Sequence, residues 1–192
     1  MELRQEVGWN PWPHVDALLG DGDLTGLSVL DVGCGTGEVA AGLMARGAHV
    51  TGLDASERMC QLAAERVPEG FFLWHDLAAG LPFETGVFDV VLALGCIEYV
   101  PHIDYACAEL VRVTKPGGRV LYTVERCEEG VDGGSARVLT LYEEWSRYRQ
   151  TYDEAVSTAN KLLSEAHFKR VPGYFFEESG KWIGYVRVMG RV

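Results

Sequence analysis

Basic side chains are scarce in this sequence: 17 Lys and Arg stand against 28 Asp and Glu, a formal net charge of −11 over 192 residues. The deficit sits in residues 1–100, with four basic and fifteen acidic side chains; residues 101–192 hold thirteen of each. No basic run exceeds the pair Lys169–Arg170. A duplex-binding footprint needs clustered cations, so no DNA partner is expected, RNA is disfavoured, and an anionic membrane surface is disfavoured with it. Long apolar runs are missing too. The most apolar stretch, Val87 to Val100, contains Asp89 and Glu98 and is too short to span a bilayer. The first residues, MELRQEVGWNPWPH, have no basic start followed by an apolar core and do not read as a signal peptide. The five cysteines (Cys34, Cys60, Cys96, Cys107, Cys127) form no C-x-x-C pair. That spacing suits neither a disulfide framework nor a zinc site, so reduced thiols in a cytoplasmic protein are expected. Nothing in the sequence sets an oligomeric state.

What is present is a packed globular composition, 47% hydrophobic and 23% charged, of a size that favours one domain over residues 1–192. Short apolar runs alternate with amphipathic stretches. Strands are expected at Leu27–Val32, His49–Asp54, Phe71–Leu77, Phe88–Gly95 and Arg119–Val124. Helices are expected from Glu38 towards Gly47, from a cap at Ser56 to Pro68, and after Pro101 up to the break Lys115-Pro116-Gly117-Gly118. This is the βαβ rhythm of a parallel sheet with helices on both faces. The rhythm then changes. Glu125–Gly134 reads as an acidic loop, 139–166 as one or two helices, and Phe168–Phe176 with Trp182–Met189 as a hairpin, which adds an antiparallel strand. Residues 1–26 read as an N-terminal cap segment and 125–166 as an insertion on the substrate side.

The chemistry starts at Val29–Gly37, VLDVGCGTG, where a strand runs into glycines 33, 35 and 37 and a helix leaves. Glycines there let the chain turn sharply and approach a ligand closely. A Walker loop would need GK[ST] and a dinucleotide fingerprint would need glycine where Glu38 stands, so phosphate ligands are disfavoured. Asp31 at the strand end suits an ammonium group. Asp54, ending the second strand, suits a ribose diol, and Asp76, ending the third, an exocyclic amine. Any one of these carboxylates read alone is better explained as a turn former or helix cap. Together with the glycines they line one crevice at the carboxyl ends of parallel strands, where open α/β sheets bind ligands.

These features resemble the class I S-adenosylmethionine-dependent methyltransferases, of the small-molecule kind similar to methyltransferase types 11 and 25. The resemblance rests on VLDVGCGTG, VTGLDAS (Val50–Ser56), WHDLAAGLPF (Trp74–Phe83), FDVVLALGCIEYV (Phe88–Val100) and LVRVTKPGGRVLYTV (Leu110–Val124). It implies a Rossmann-like seven-stranded α/β sheet of order 3-2-1-4-5-7-6 with strand 7 antiparallel, and S-adenosyl-L-methionine as cofactor, leaving as S-adenosyl-L-homocysteine. It further implies that Asp31, Gly33, Cys34, Gly35 and Gly37 surround the methionine part. Asp54 would hold the ribose, Ala55 and Met59 would pack near the adenine, Asp76 and Leu77 would meet its edge, and Leu94 and Gly95 would lie beneath the sulfonium.

Methyl transfer from a sulfonium is an in-line displacement at an activated carbon, so alignment matters more than a dedicated base. Candidates near the methyl group are Glu98, Tyr99 and His102, with Glu125 a fourth. Small-molecule members often have histidine where Tyr99 stands; Glu98 is equally a cap and His102 equally a solvated residue of the first helical turn. The segment Trp9, Pro11, Trp12, Pro13, His14 either closes over the cofactor or staples the first helix to the sheet. Thr140–Tyr152 either reads a planar or acidic acceptor or is a plain amphipathic helix. The signatures of amino-methylating DNA enzymes, cytosine-C5 enzymes, metal-dependent catechol enzymes and protein arginine enzymes are all absent. A metal-independent transfer to O, N or C of a small molecule is the expected function. The alternatives are a non-catalytic cofactor-binding module and a protein or RNA methyltransferase; a nicotinamide dehydrogenase is opposed by Glu38.

Overall fold

The computed structural model describes residues 10–127, 152–176 and 181–192. In chain order the elements are α1 (Trp12–Leu19), β1 (Ser28–Val32), α2 (Glu38–Ala45), β2 (His49–Asp54), α3 (Glu57–Arg66), β3 (Phe71–Trp74), β4 (Phe88–Ala93), α4 (Ile103–Val113), β5 (Thr114–Cys127), α5 (Tyr152–Leu162), β6 (Ser164–Phe176) and β7 (Lys181–Arg191). The strands form one sheet in the order β3-β2-β1-β4-β5-β7-β6. Pairings among β1 to β5 are parallel; β7 runs antiparallel to both β5 and β6. The implied order and the antiparallel seventh strand are both observed.

Side-chain alternation along the strands divides the interior into two cores, one on each face of the sheet. Leu30, Val32, Val91, Ala93, Val120 and Tyr122 pack towards Ile103, Ala106, Leu110 and Val113 of α4 and Ala159 of α5. Val29, Val90, Leu92 and Leu121 pack on the opposite face with Val15 of α1 and Ala40 and Leu43 of α2. β4 is buried at every position but Asp89, which explains its unbroken apolar reading. Asp89 instead ties elements together: Oδ2 accepts the Ser28 N–H at 2.9 Å and Oδ1 meets Lys115 Nζ at 2.9 Å.

Several boundaries differ from expectation. β3 ends at Trp74 rather than Leu77, because the Asp76 carboxylate accepts the Ala78 N–H at 2.9 Å and starts a 3-10 turn over Leu77–Ala79. Thr114 already pairs with Phe88, so β5 includes the Lys-Pro-Gly-Gly break, accommodated by a register shift between Phe88 and Val90. β5 also extends through Glu125, Arg126 and Cys127, where a loop was expected. Of the expected helical stretch 139–166, Tyr152–Leu162 is helix, while Ser164 onward is strand, pairing with Arg191 of β7. Residues 128–151, with most of the acidic loop and nearly all of Thr140–Tyr152, lie outside the described residues, as does Trp9.

The N-terminal segment packs onto the sheet face formed with α2. Trp12 belongs to the second core, and its indole fills the space a side chain at Gly42 would need. Arg119 Nη1 donates to the Leu18 carbonyl at 3.0 Å and Arg187 Nη1 to the Pro13 carbonyl at 3.1 Å, fixing both ends of α1 to β5 and β7. For Trp12 this is the staple arrangement.

Candidate active site

The three glycines of the loop after β1 all have left-handed φ, +72° at Gly33, +54° at Gly35 and +74° at Gly37. They are needed for different reasons. A Cβ on Gly33 would lie 2.6 Å from Cys96 Cβ, so the loop touches the turn after β4. A Cβ on Gly37 would come within 3.1 Å of Ala63 Cβ, where the start of α2 meets α3. Gly35 alone faces open space, with nothing within 4 Å of its would-be Cβ. The loop is latched to β2 by Gly33 N–H and Cys34 N–H on the Leu53 carbonyl at 2.6 and 3.0 Å.

Asp54 completes the latch. Its Oδ2 accepts the Gly35 N–H at 2.9 Å and its Oδ1 the Ser56 N–H at 2.8 Å. A carboxylate has about four acceptor positions, so two remain for a diol. Asp31, 3% exposed, has no hydrogen-bond partner on Oδ2. Burial, reinforced by the nearby Asp54 charge, pushes its carboxyl up to about 7. A buried carboxyl oxygen left without a partner can accept from a cationic ligand group.

Ala55 is exposed, and its carbonyl accepts the Trp74 indole N–H at 3.1 Å. Met59 is partly buried in the first turn of α3, which Ser56 Oγ caps through the Met59 N–H at 3.4 Å. Asp76 is exposed and serves as a cap. Leu77 and Leu94 send their side chains into the two cores, leaving backbone as what they offer a ligand. Gly95, with φ +64°, donates its N–H to Thr123 Oγ1 of β5 at 2.8 Å.

Burial and the Asp31 and Asp54 charges raise the Cys34 thiol pKa, and burial then Asp54 raise that of Cys60, so neither is a ready nucleophile. Beyond β4, Tyr99 is exposed at the end of the 3-10 turn Ile97–Tyr99 that also includes Glu98. His102 is the exposed N-cap of α4, one residue before the first helical turn where it was expected. Among the described residues no group of three or more His, Cys, Asp or Glu is arranged to hold a metal, and no helix is long and apolar enough to cross a membrane.

Residues 30–122 match the family profile described as "Methyltransferase domain". This segment is similar to a methyltransferase domain, and the fold is that of S-adenosylmethionine-dependent methyltransferases. The matched segment runs from within β1 to within β5 and includes the glycine loop, Asp31, Asp54 and Asp76. The chain is 42% identical over 97 residues to the malonyl-[acyl-carrier protein] O-methyltransferase of Erwinia pyrifoliae, covering 50% of this chain and 37% of that one. It is 39% identical over 101 residues to the demethylmenaquinone methyltransferase of Tropheryma whipplei, covering 52% and 42%. The chain therefore spans under half the length of these two relatives. Among solved structures, Haemonchus contortus phosphoethanolamine N-methyltransferase 2, in complex with S-adenosyl-L-methionine, superposes with a TM-score of 0.80 at 20% identity, covering 96% of this chain and 52% of that one. At that identity the likeness is one of fold.

Two residues near the end of β4 in the sheet register escaped the sequence reading. Thr123 and Arg187 face each other across β5 and β7, and no local motif announces a pairing between positions so far apart in the chain. His14 was visible only as part of an aromatic segment; it is 4% exposed, and burial with the adjacent Arg187 charge holds its imidazole down to about 4.

Proposed function

We propose that this chain binds S-adenosyl-L-methionine along the carboxyl ends of β3, β2, β1 and β4 and supports metal-independent transfer of its methyl group to an O, N or C atom of a small molecule. The observation that carries this reading is Asp31: a buried carboxylate oxygen without a partner, beside a glycine with open space over it. An ammonium group answers the first and a ligand backbone pressed close to the loop answers the second. The residues fit the cofactor. Asp31 takes the amino group, and the loop Gly33, Cys34, Gly35, Gly37 lies along the methionine part. Asp54 gives its two remaining acceptor positions to the ribose diol. Ala55 and Met59 flank the adenine, with Asp76 and the Leu77 backbone at its edge and the Leu94 backbone and Gly95 beneath the sulfur. When bound, the cofactor supplies a methyl group already activated on a sulfonium.

The chain's own task is then alignment and exclusion of water, which can lower a barrier by roughly 7–11 kcal/mol. Tyr99, His102 and Glu98 follow β4 and are the groups offered to an acceptor proton; none is needed for an acceptor that is already a good nucleophile. Four free thiols, at Cys34, Cys60, Cys96 and Cys107, support a reducing, cytoplasmic location. The test is calorimetric titration of S-adenosyl-L-homocysteine followed by methyl transfer from labelled cofactor into fractionated extract. Saturable binding with label in a small-molecule fraction is expected. No binding at millimolar ligand refutes the cofactor assignment. Binding with no label in any fraction refutes catalysis, and label removed by protease or ribonuclease refutes the small-molecule acceptor.

A further inference from the structure

A buried cation with no carboxylate partner among the described residues lies on β7, beyond β4 and β5 from Asp31. Arg187 on β7 is 8% exposed, and its Nε has no hydrogen-bond partner. Its Cα pairs with that of Thr123 on β5, and Thr123 Oγ1 accepts the Gly95 N–H at 2.8 Å. One strand pairing and one hydrogen bond thus connect Arg187 to the end of β4. On β7, Val188 packs into the α4 core and Met189 against the α1–α2 core. Arg187 shares the parity of Met189, and its Nη1 accordingly donates to the Pro13 carbonyl at 3.1 Å. Ion pairs among the described residues are Arg46–Asp16, Arg112–Glu109 and Lys115–Asp89; none involves Arg187. His14 beside it is neutral at pH 7 and brings no countercharge.

Burying a guanidinium against a single neutral carbonyl leaves most of its desolvation uncompensated. Tethering α1 alone would need only a neutral donor. An oxyanion on the remaining N–H groups would offset the cost through charge-assisted, bidentate hydrogen bonds. The cation is also well placed to serve an acceptor rather than the cofactor. Asp31 lies on β1, whereas β7 is two strands beyond β4, about 10 Å across the sheet. Arg187 further lies outside residues 30–122, the segment that matches the family profile. A chain of net charge −11 repels anionic small molecules at long range, so an anionic acceptor requires a local cation.

We propose that Arg187 receives an oxyanion of the methyl acceptor, a carboxylate or a phosphate group, and selects for acceptors that carry one. This rests on the methyl-transfer reading above. The experiment titrates phosphate and, separately, acetate into protein saturated with S-adenosyl-L-homocysteine, with acetamide as the neutral control, for wild type, R187K and R187M. Saturable binding of at least one anion to wild type is expected, weakened about tenfold or more in R187M and a few-fold in R187K, which keeps the charge but not the fork. Acetamide should not bind, and S-adenosyl-L-homocysteine affinity should stay within about threefold across the three proteins. The two anions separate a carboxylate-bearing acceptor from a phosphorylated one. If R187M does not fold, R187K carries the comparison, and unchanged anion affinity there overturns the proposal. So does absence of anion binding to wild type up to about 100 mM. A parallel loss of nucleoside and anion affinity also overturns it, because Arg187 would then serve the cofactor's own carboxylate. Failure of wild type to bind the nucleoside at all instead refutes the methyltransferase reading.

Discussion

Asp31 should couple cofactor binding to proton release. In the free protein its carboxyl is pushed up to about 7 by burial and the Asp54 charge. An ammonium ligand needs the carboxylate, so binding at lower pH must first expel a proton. At pH 6 about nine in ten molecules carry that proton and at pH 8 about one in ten. Binding of S-adenosyl-L-homocysteine should therefore release about 0.9 proton at pH 6 and about 0.1 at pH 8, and affinity should rise about tenfold between them. Calorimetry in two buffers of different ionisation enthalpy reads both quantities. Asp31→Asn should abolish the proton release and weaken binding at pH 8 by about 10- to 100-fold, the worth of one charge-assisted hydrogen bond. The stability consequence has the opposite sign. An acid whose folded pKa lies above its unfolded value of 3.8 leaves the free protein less stable as pH rises from about 4 to about 7, and the loss persists above that. Asp31→Asn should thus raise the stability of the free protein at pH 8, by at most about 4 kcal/mol. Flat affinity from pH 6 to 8 with no buffer dependence would refute the reasoning, as would an Asp31→Asn variant that binds like wild type.

The two glycines before Gly37 should separate by phenotype. Gly33→Ala collides with Cys96 and should cost about 3 kcal/mol or more in urea unfolding, whereas Gly35→Ala meets only the left-handed φ, about 1–2 kcal/mol, yet should lose nucleoside binding. Asp54→Ala withdraws the acceptor from the Gly35 and Ser56 N–H groups as well as from the ribose; calorimetry should show a loss of about 100-fold or more, and unchanged affinity would move the pocket elsewhere. Trp12→Ala should lower stability by about 2 kcal/mol while nucleoside affinity changes less than about threefold, because the indole packs on Gly42. A large affinity loss without destabilisation would make Trp12 a lid instead.

Local features of the chain were legible where one residue's conformation or one segment's burial decides the matter. The unbroken run Phe88–Ala93 announced a strand covered on both faces, and Ser56 announced the start of α3. The errors fell where a side chain competes with the strand ladder: Asp76 ends β3 three residues early by capping the next turn. They fell also where a partner extends a strand, as β7 does in carrying β5 through Cys127. In the site, the loop glycines and the Asp31, Asp54 and Asp76 positions were visible as residue types. That Asp54 already holds two backbone N–H groups was not, nor that Leu77 turns inward.

By itself the sequence determined the alternation of strands and helices, the glycine loop and the acids at strand ends, because periodicity, φ preference and charge are properties of neighbours along a chain. Only the tertiary structure decided which oxygen is left unanswered and which cation is buried without a countercharge among the described residues. Asp31 is perturbed because burial and the Asp54 charge act on it, and Arg187 comes opposite Thr123 only because an antiparallel strand returns it there. Desolvation and cross-strand register depend on what folds over a residue, and that is written nowhere near it in the chain.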